Sequence, residues 1–85
     1  MKSFSYIVKE KNGMHARPAG ILVKAAEECK SEVVLKHKEK RVSATRLLAI
    51  MSLGIKKDEE ITIEISGRTE EEDMQKMKNI VLASL

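Results

Sequence analysis

Apolar and polar positions alternate along this chain with two different periods, and the switches between them mark out its elements. Phe4, Tyr6 and Val8 alternate with Ser3, Ser5 and Lys9, which predicts a strand over roughly 2–9 with one buried face; Ile7 breaks the pattern. Ala19, Leu22, Val23, Ala26 and Cys29 then recur at three- and four-residue steps, while Lys24, Glu27, Glu28 and Lys30 lie off that stripe. This is the signature of an amphipathic helix. Glu27 and Glu28 sit where negative charge opposes the helix dipole, so its last turn is expected to fray.

Val33, Val34 and Leu35, a polar link through Lys38-Glu39, and Val42 with Ala44 predict a second strand, a turn and a short third strand. Lys36, His37, Lys38, Lys40 and Arg41 make this hairpin basic, a composition that discourages edge pairing. His37 has no neighbour at metal-ligand spacing and reads as another exposed strand residue. Leu47, Leu48, Ile50, Met51 and Leu53 form a short apolar helix stopped by Gly54, a residue suited to a left-handed cap, with Ile55 available for the accompanying contact. A two-turn helix hides only one face, so part of Leu47, Leu48 and Met51 is expected at the surface as a partner-contact patch. Ile61, Ile63 and Ile65 alternate with Thr62, Glu64 and Ser66 in the clearest strand of the chain. Thr69-Glu70-Glu71-Glu72 has the form of a capping box, and Met74, Met77, Ile80 and Val81 carry the stripe of a last helix. The order strand, helix, strand, strand, short helix, strand, helix predicts a single α+β domain over residues 1–85. Three helices should pack on one face of a four-stranded, mainly antiparallel sheet, an open-faced β-sandwich.

Chemistry concentrates between Asn12 and Gly20. Asn12-Gly13 is a turn signal, and Pro18 is tolerated in a helix only within the first turn, so the helix should begin at about Ala16 with His15 at its N-cap. A helix N-terminus carries unpaired N–H groups and roughly half a positive charge, which attracts phosphate and disfavours an imidazolium. A neutral imidazole there is a nucleophile, and a phosphoryl group on it would meet the amides of Ala16 and Arg17 and, if Arg17 bends back, its guanidinium; by spacing alone, a histidine before a helix is ordinarily a solvated or capping residue.

Composition narrows the function without choosing it. With 85 residues there is one thin core, and chemistry should sit at the surface and borrow a partner's cavity. Sixteen Lys and Arg against 13 acidic residues is too small an excess to demand nucleic acid. The single cysteine, Cys29, has no internal disulfide partner and reads as a packed or half-exposed thiol, which suits a reducing cytoplasm. No signal-peptide region precedes the first strand, and no apolar run approaches the about 20 residues needed to span a bilayer. With two isolated histidines there is no ligand set for a metal, and no cofactor is expected.

The stretch Gly13-Met14-His15-Ala16-Arg17-Pro18-Ala19 resembles the active-site signature of the HPr family, the histidine-containing phosphocarriers of the bacterial phosphoenolpyruvate-dependent sugar phosphotransferase system. Met51-Ser52-Leu53-Gly54-Ile55 is similar to the family's other characteristic segment, and the likeness covers essentially the whole chain. The resemblance implies the same open-faced sandwich and a stoichiometric phosphoryl carrier rather than a free-standing enzyme. It implies that His15 accepts a phosphoryl group, through ring Nδ1, from phosphorylated enzyme I and passes it to the IIA domains of sugar permeases. Arg17 matches the active-site arginine; Leu47, Leu48 and Met51 match the docking patch, flanked by Gly20 and Lys24. One position departs from the family. Where many members carry a regulatory serine, this chain has Arg46, which accepts no phosphate and puts positive charge at a helix start, so regulatory phosphorylation is expected to be absent there. A regulatory interaction module using the same patch is the alternative function. An RNA-binding use would need sheet aromatics in a stacking motif, which Phe4 and Tyr6 do not form. Nothing in the pattern calls for a dimer, and a monomer is expected.

Overall fold

A computed structural model describes residues 1–85, and its elements follow the predicted order: β1 (Lys2–Ile7), α1 (Ala16–Glu28), β2 (Glu32–His37), β3 (Lys40–Ser43), α2 (Leu47–Ser52), β4 (Glu60–Ser66) and α3 (Glu70–Ser84). The strands form one sheet in the order β1-β4-β2-β3, with every pairing antiparallel. Period-two alternation splits this sheet into two unlike faces. Phe4, Ile63, Leu35 and Val42 lie side by side in one row across the four strands and face the helices. In the next row Ser5, Thr62, Lys36 and Arg41 face solvent, where the Ser5 and Thr62 hydroxyls meet at 2.9 Å. Arg41 Nε donates to Glu64 Oε1 at 3.0 Å on the same wet face.

Leu22, Ala25 and Ala26 of α1, Ile50 of α2, and Met77 and Val81 of α3 close over Val33, Leu35, Ile61, Ile63 and Ile65 to make the core. Each fully buried large aliphatic side chain here is worth about 1.5–3 kcal/mol relative to exposure. Strand β1 stops at Ile7, two residues short of the predicted end. Ile7 itself points outward, and Val8 is fully buried in the following loop, where its N–H donates to Glu59 O at 2.9 Å. The helix α1 persists to Glu28, where Lys76 Nζ at 2.7 Å supplies a cation and lowers the carboxyl's pKa.

Two local expectations are corrected. His37 is not exposed: it shares the parity of Val33 and Leu35 on β2, so the strand turns it to the core face, and it is 4% accessible. Its Nε2 lies 2.9 Å from Glu59 Oε1, which also accepts from Lys56 N at 2.9 Å, while Lys38 Nζ stands 3.2 Å from the other oxygen. The backbone bond from Lys56 leads these contacts in holding the Glu59 carboxyl down at about 2. Thr69 does not form the predicted capping box either. Its hydroxyl donates instead to Asp73 Oδ2 at 2.7 Å, and the same oxygen accepts the backbone N–H of Ser31 at 3.0 Å. Burial pushes the Asp73 carboxyl up, but the bonds from Ser31 and Thr69 outweigh it and leave the pKa lowered. This buried carboxylate ties the start of α3 to the segment that leads into β2.

Candidate functional site

The turn before α1 is built by close contact between backbones. Gly13 has φ of +65°, its N–H donates to Glu10 O at 2.9 Å, and a Cβ at this position would lie 2.3 Å from Ile55 O. The next N–H, that of Met14, donates to that same Ile55 oxygen at 3.0 Å. Met14 is buried beneath, so the chain is pinned on both sides of the turn immediately before His15. Ile55 follows Gly54, whose φ of +64° ends α2 in the left-handed conformation expected of it.

His15 is the N-cap of α1, extended at φ −81° and ψ −179°, and its backbone oxygen accepts the first helical bond from Ala19 at 3.1 Å. Its imidazole makes no capping bond, in contrast to the Ser, Thr and Asp side chains usually found there. Pro18 has no N–H to offer, so the unpaired donors of this helix end are those of Ala16 and Arg17. The imidazole is 38% accessible, with Nε2 3.7 Å from Glu10 Oε1. Arg17 is exposed and takes part in none of the molecule's ion pairs. His15 and Arg17 line one open depression of about 450 Å³ together with Glu10, Asn12, Pro18, Ile21, Ala83 and Ser84.

Of the sequence-predicted site residues, His15 and Arg17 share this depression, and Ala16 adjoins them as the first residue of α1. Gly20 lies further along α1 with no atom near its missing side chain, and Lys24 is exposed one turn on; neither lines the depression. On α2, Ile50 is fully buried while Leu47 and Met51 are each 38% accessible and Leu48 is 78% accessible, so the excess of apolar residues does reach the surface. Arg46 is the N-cap of α2 and makes no capping bond. Nearby hydroxyls are engaged internally: Ser43 with Thr45 at 2.8 Å, and Ser52 donating to Leu48 O at 2.7 Å. Glu10 escaped sequence reasoning, since only the turn at Gly13 folds it back toward His15. Cys29 is half-buried and donates to Ala25 O at 3.4 Å; burial first, and then Asp73, push its thiol pKa up. No helix is long and apolar enough to cross a membrane.

Comparison with known proteins agrees with this geometry. The family model for the PTS HPr component phosphorylation site matches residues 2–82. The phosphocarrier protein HPr of Mycoplasma capricolum subsp. capricolum is 33% identical over 82 residues, which cover 96% of this chain and 92% of that one. Among solved structures, a Mycoplasma histidine-containing phosphocarrier protein superposes with a TM-score of 0.92 at 32% identity, covering 96% of this chain and 93% of its own. HPr from Thermoanaerobacter tengcongensis gives 0.91 at 30% identity, covering 99% and 94%. An α-helix N-capped by a histidine whose ring makes no capping bond, on an all-antiparallel sheet shared with these proteins over nearly its full length, places the chain in the HPr family of phosphotransferase-system phosphocarriers.

Proposed function

We propose that this chain accepts a phosphoryl group from phosphorylated enzyme I on His15 and passes it to the IIA domains of sugar permeases. The observation that carries the reading is the N-cap position of His15 with its ring making no capping hydrogen bond, which leaves two helix amides free beside it, and Arg17, which has no ion-pair partner, lines the same depression. Each feature acts on a different part of the transfer. The partly exposed imidazole offers a ring nitrogen as nucleophile at the positive end of the helix. The same end, with Ala16 N–H, Arg17 N–H and the guanidinium, offers donors to the phosphoryl oxygens as they arrive. The site is open because the partner's surface completes it, excluding water only while the group is in flight.

Leu47, Leu48 and Met51 form the docking surface in this reading, with Gly20 and Lys24 at its margin on α1. A small apolar patch suits a carrier that must bind two different proteins in turn and release both, and Met51 adapts its shape to each. The acting unit is a single chain in the cytoplasm, where both partners' phosphoryl sites are reached. Arg46 removes the hydroxyl through which regulatory phosphorylation would act, so control at that position is absent. Mass spectrometry after incubation with enzyme I, magnesium and phosphoenolpyruvate tests the reading. One acid-labile phosphoryl adduct, lost in His15→Ala, is expected. Its absence with a competent cognate enzyme I would overturn the carrier role and leave the interaction module.

A further inference from the structure

Histidine has two ring nitrogens, and the carrier role proposed above, on which this inference rests, uses one of them. The geometry points to Glu10 as the positioning residue that reserves Nδ1 of His15 for the phosphoryl group by holding the proton on Nε2. Glu10 is fixed at both ends. Its N–H donates to Leu85 O at 2.7 Å, next to Lys9 N on the same oxygen at 2.6 Å, and its own carbonyl accepts Gly13 N at 2.9 Å. The carboxylate Oε1 accepts Asn12 N at 3.4 Å and faces His15 Nε2 at 3.7 Å. That span is too long for a hydrogen bond but within reach of charge attraction. The proton of a neutral imidazole resides on whichever nitrogen its surroundings favour, and a carboxylate beside Nε2 favours Nε2–H.

The consequences for transfer follow from atom and charge balance. The Nδ1 lone pair attacks phosphorus as the donor's P–N bond breaks, and Nε2 keeps its proton throughout. With both nitrogens then substituted, the ring carries a positive charge, which the α1 N-terminus opposes and the Glu10 carboxylate offsets. In onward transfer the Nδ1–P bond breaks and the ring returns as the same neutral Nε2–H tautomer, so no proton has to enter or leave His15 in either step. A phosphoryl group on Nε2 would instead meet the Glu10 carboxylate directly, two negative groups in one partly exposed site.

The test uses phosphoramidate, a small-molecule phosphoryl donor to imidazole, and reads the two phosphohistidine isomers by ³¹P NMR at matched extent of reaction, with His15→Ala as the blank. Glu10→Gln keeps the acceptor for Asn12 N and removes the charge, and its amide spectrum reports whether the turn is intact. The Nε2 isomer's share is expected to rise about threefold in Glu10→Gln, the scale of a partly exposed ion pair, and at least as much in Glu10→Ala. Glu10→Asp, which restores the charge at greater distance, should fall between Gln and the natural chain. Unchanged isomer ratios in both Gln and Ala variants, with His15 still phosphorylated, would overturn the role of Glu10 and leave the carrier reading standing. Failure of the natural chain to phosphorylate at His15 with a competent cognate enzyme I as well as with phosphoramidate would overturn both.

Discussion

Replacing Gly13 by alanine changes one hydrogen into a methyl group, yet the structure makes it one of the costliest small substitutions available. The added Cβ would lie 2.3 Å from Ile55 O and 2.9 Å from Lys56 Cα, both backbone atoms that cannot rotate aside. The left-handed φ of +65° adds about 1–2 kcal/mol for any residue with a Cβ. Forcing the Ile55–Lys56 backbone away costs on the order of 1–3 kcal/mol. Weakening the 3.0 Å bond from Met14 N to Ile55 O adds about 1 kcal/mol more. The total, about 3–6 kcal/mol, is a large share of the roughly 5–15 kcal/mol that stabilises a small domain. Two further glycines calibrate the reasoning. Gly54 has nearly the same φ, +64°, but nothing within 4 Å, so Gly54→Ala should cost only the conformational about 1–2 kcal/mol. Gly20 lies inside α1 with open space around it, and Gly20→Ala should stabilise by about 0.5–1 kcal/mol. Urea denaturation of the three variants, followed by circular dichroism, gives the order directly. A Gly13→Ala chain within about 1 kcal/mol of Gly54→Ala would refute the close-packing argument, because backbone conformation alone would then account for both.

Four other outcomes follow from the same structure. Leu48→Asp, at the most exposed apolar residue of α2, should weaken enzyme I binding at least about tenfold by calorimetry while changing stability by no more than about 0.5 kcal/mol. Asp73→Ala strips the buried Ser31 N–H of its acceptor and should cost about 1–3 kcal/mol in urea denaturation, seen first as loosened amide protection where α3 meets the Ser31 segment. Glu59 has a folded-state pKa of about 2, below its ordinary 4.5, so its stabilising contribution is complete above that ordinary value and is lost as pH falls through the folded one. Glu59→Gln should therefore melt lower than the natural chain at neutral pH, and the gap should close on acidification across that window; a constant gap would contradict the assignment. The Cys29 thiol, held protonated by burial and Asp73, should alkylate more slowly than a free cysteine at neutral pH, and a faster reaction would show the site to be open.

The elements most legible in the sequence were those whose cause is local. Pro18 forces α1 to start beside it, Ile61, Ile63 and Ile65 can alternate only as a strand, and α2 carries more apolar residues than six helical positions can hide. His15 and Arg17 were visible for the same reason, because a helix start places both of them. What stayed hidden depends on partners distant in the chain. His37 sits among lysines and reads as surface, although its parity with Val33 and Leu35 already assigned it to the core face; what makes burial tolerable there is Glu59, 22 residues away. Asp73 looked like one more acid favourable to a helix dipole, but its hydrogen bond to Ser31 N crosses 42 residues. The same carboxylate oxygen takes the Thr69 hydroxyl as a second donor, and Thr69 makes no capping bond. Glu10 has no local pattern at all, and its approach to His15 exists only because Gly13 lets the chain fold back against Ile55. The sheet order β1-β4-β2-β3 is likewise a matter of which faces must be covered together, and no single segment encodes it.

The central claim is that the phosphoryl group on His15 is in transit. It is tested most directly by purifying the phosphorylated chain free of enzyme I, adding an unphosphorylated IIA domain, and following both proteins by intact mass. The adduct should leave this chain and appear on the IIA domain, with no free phosphate released at a matching rate. An adduct that stays on His15, or that is lost only to water, would contradict the carrier role.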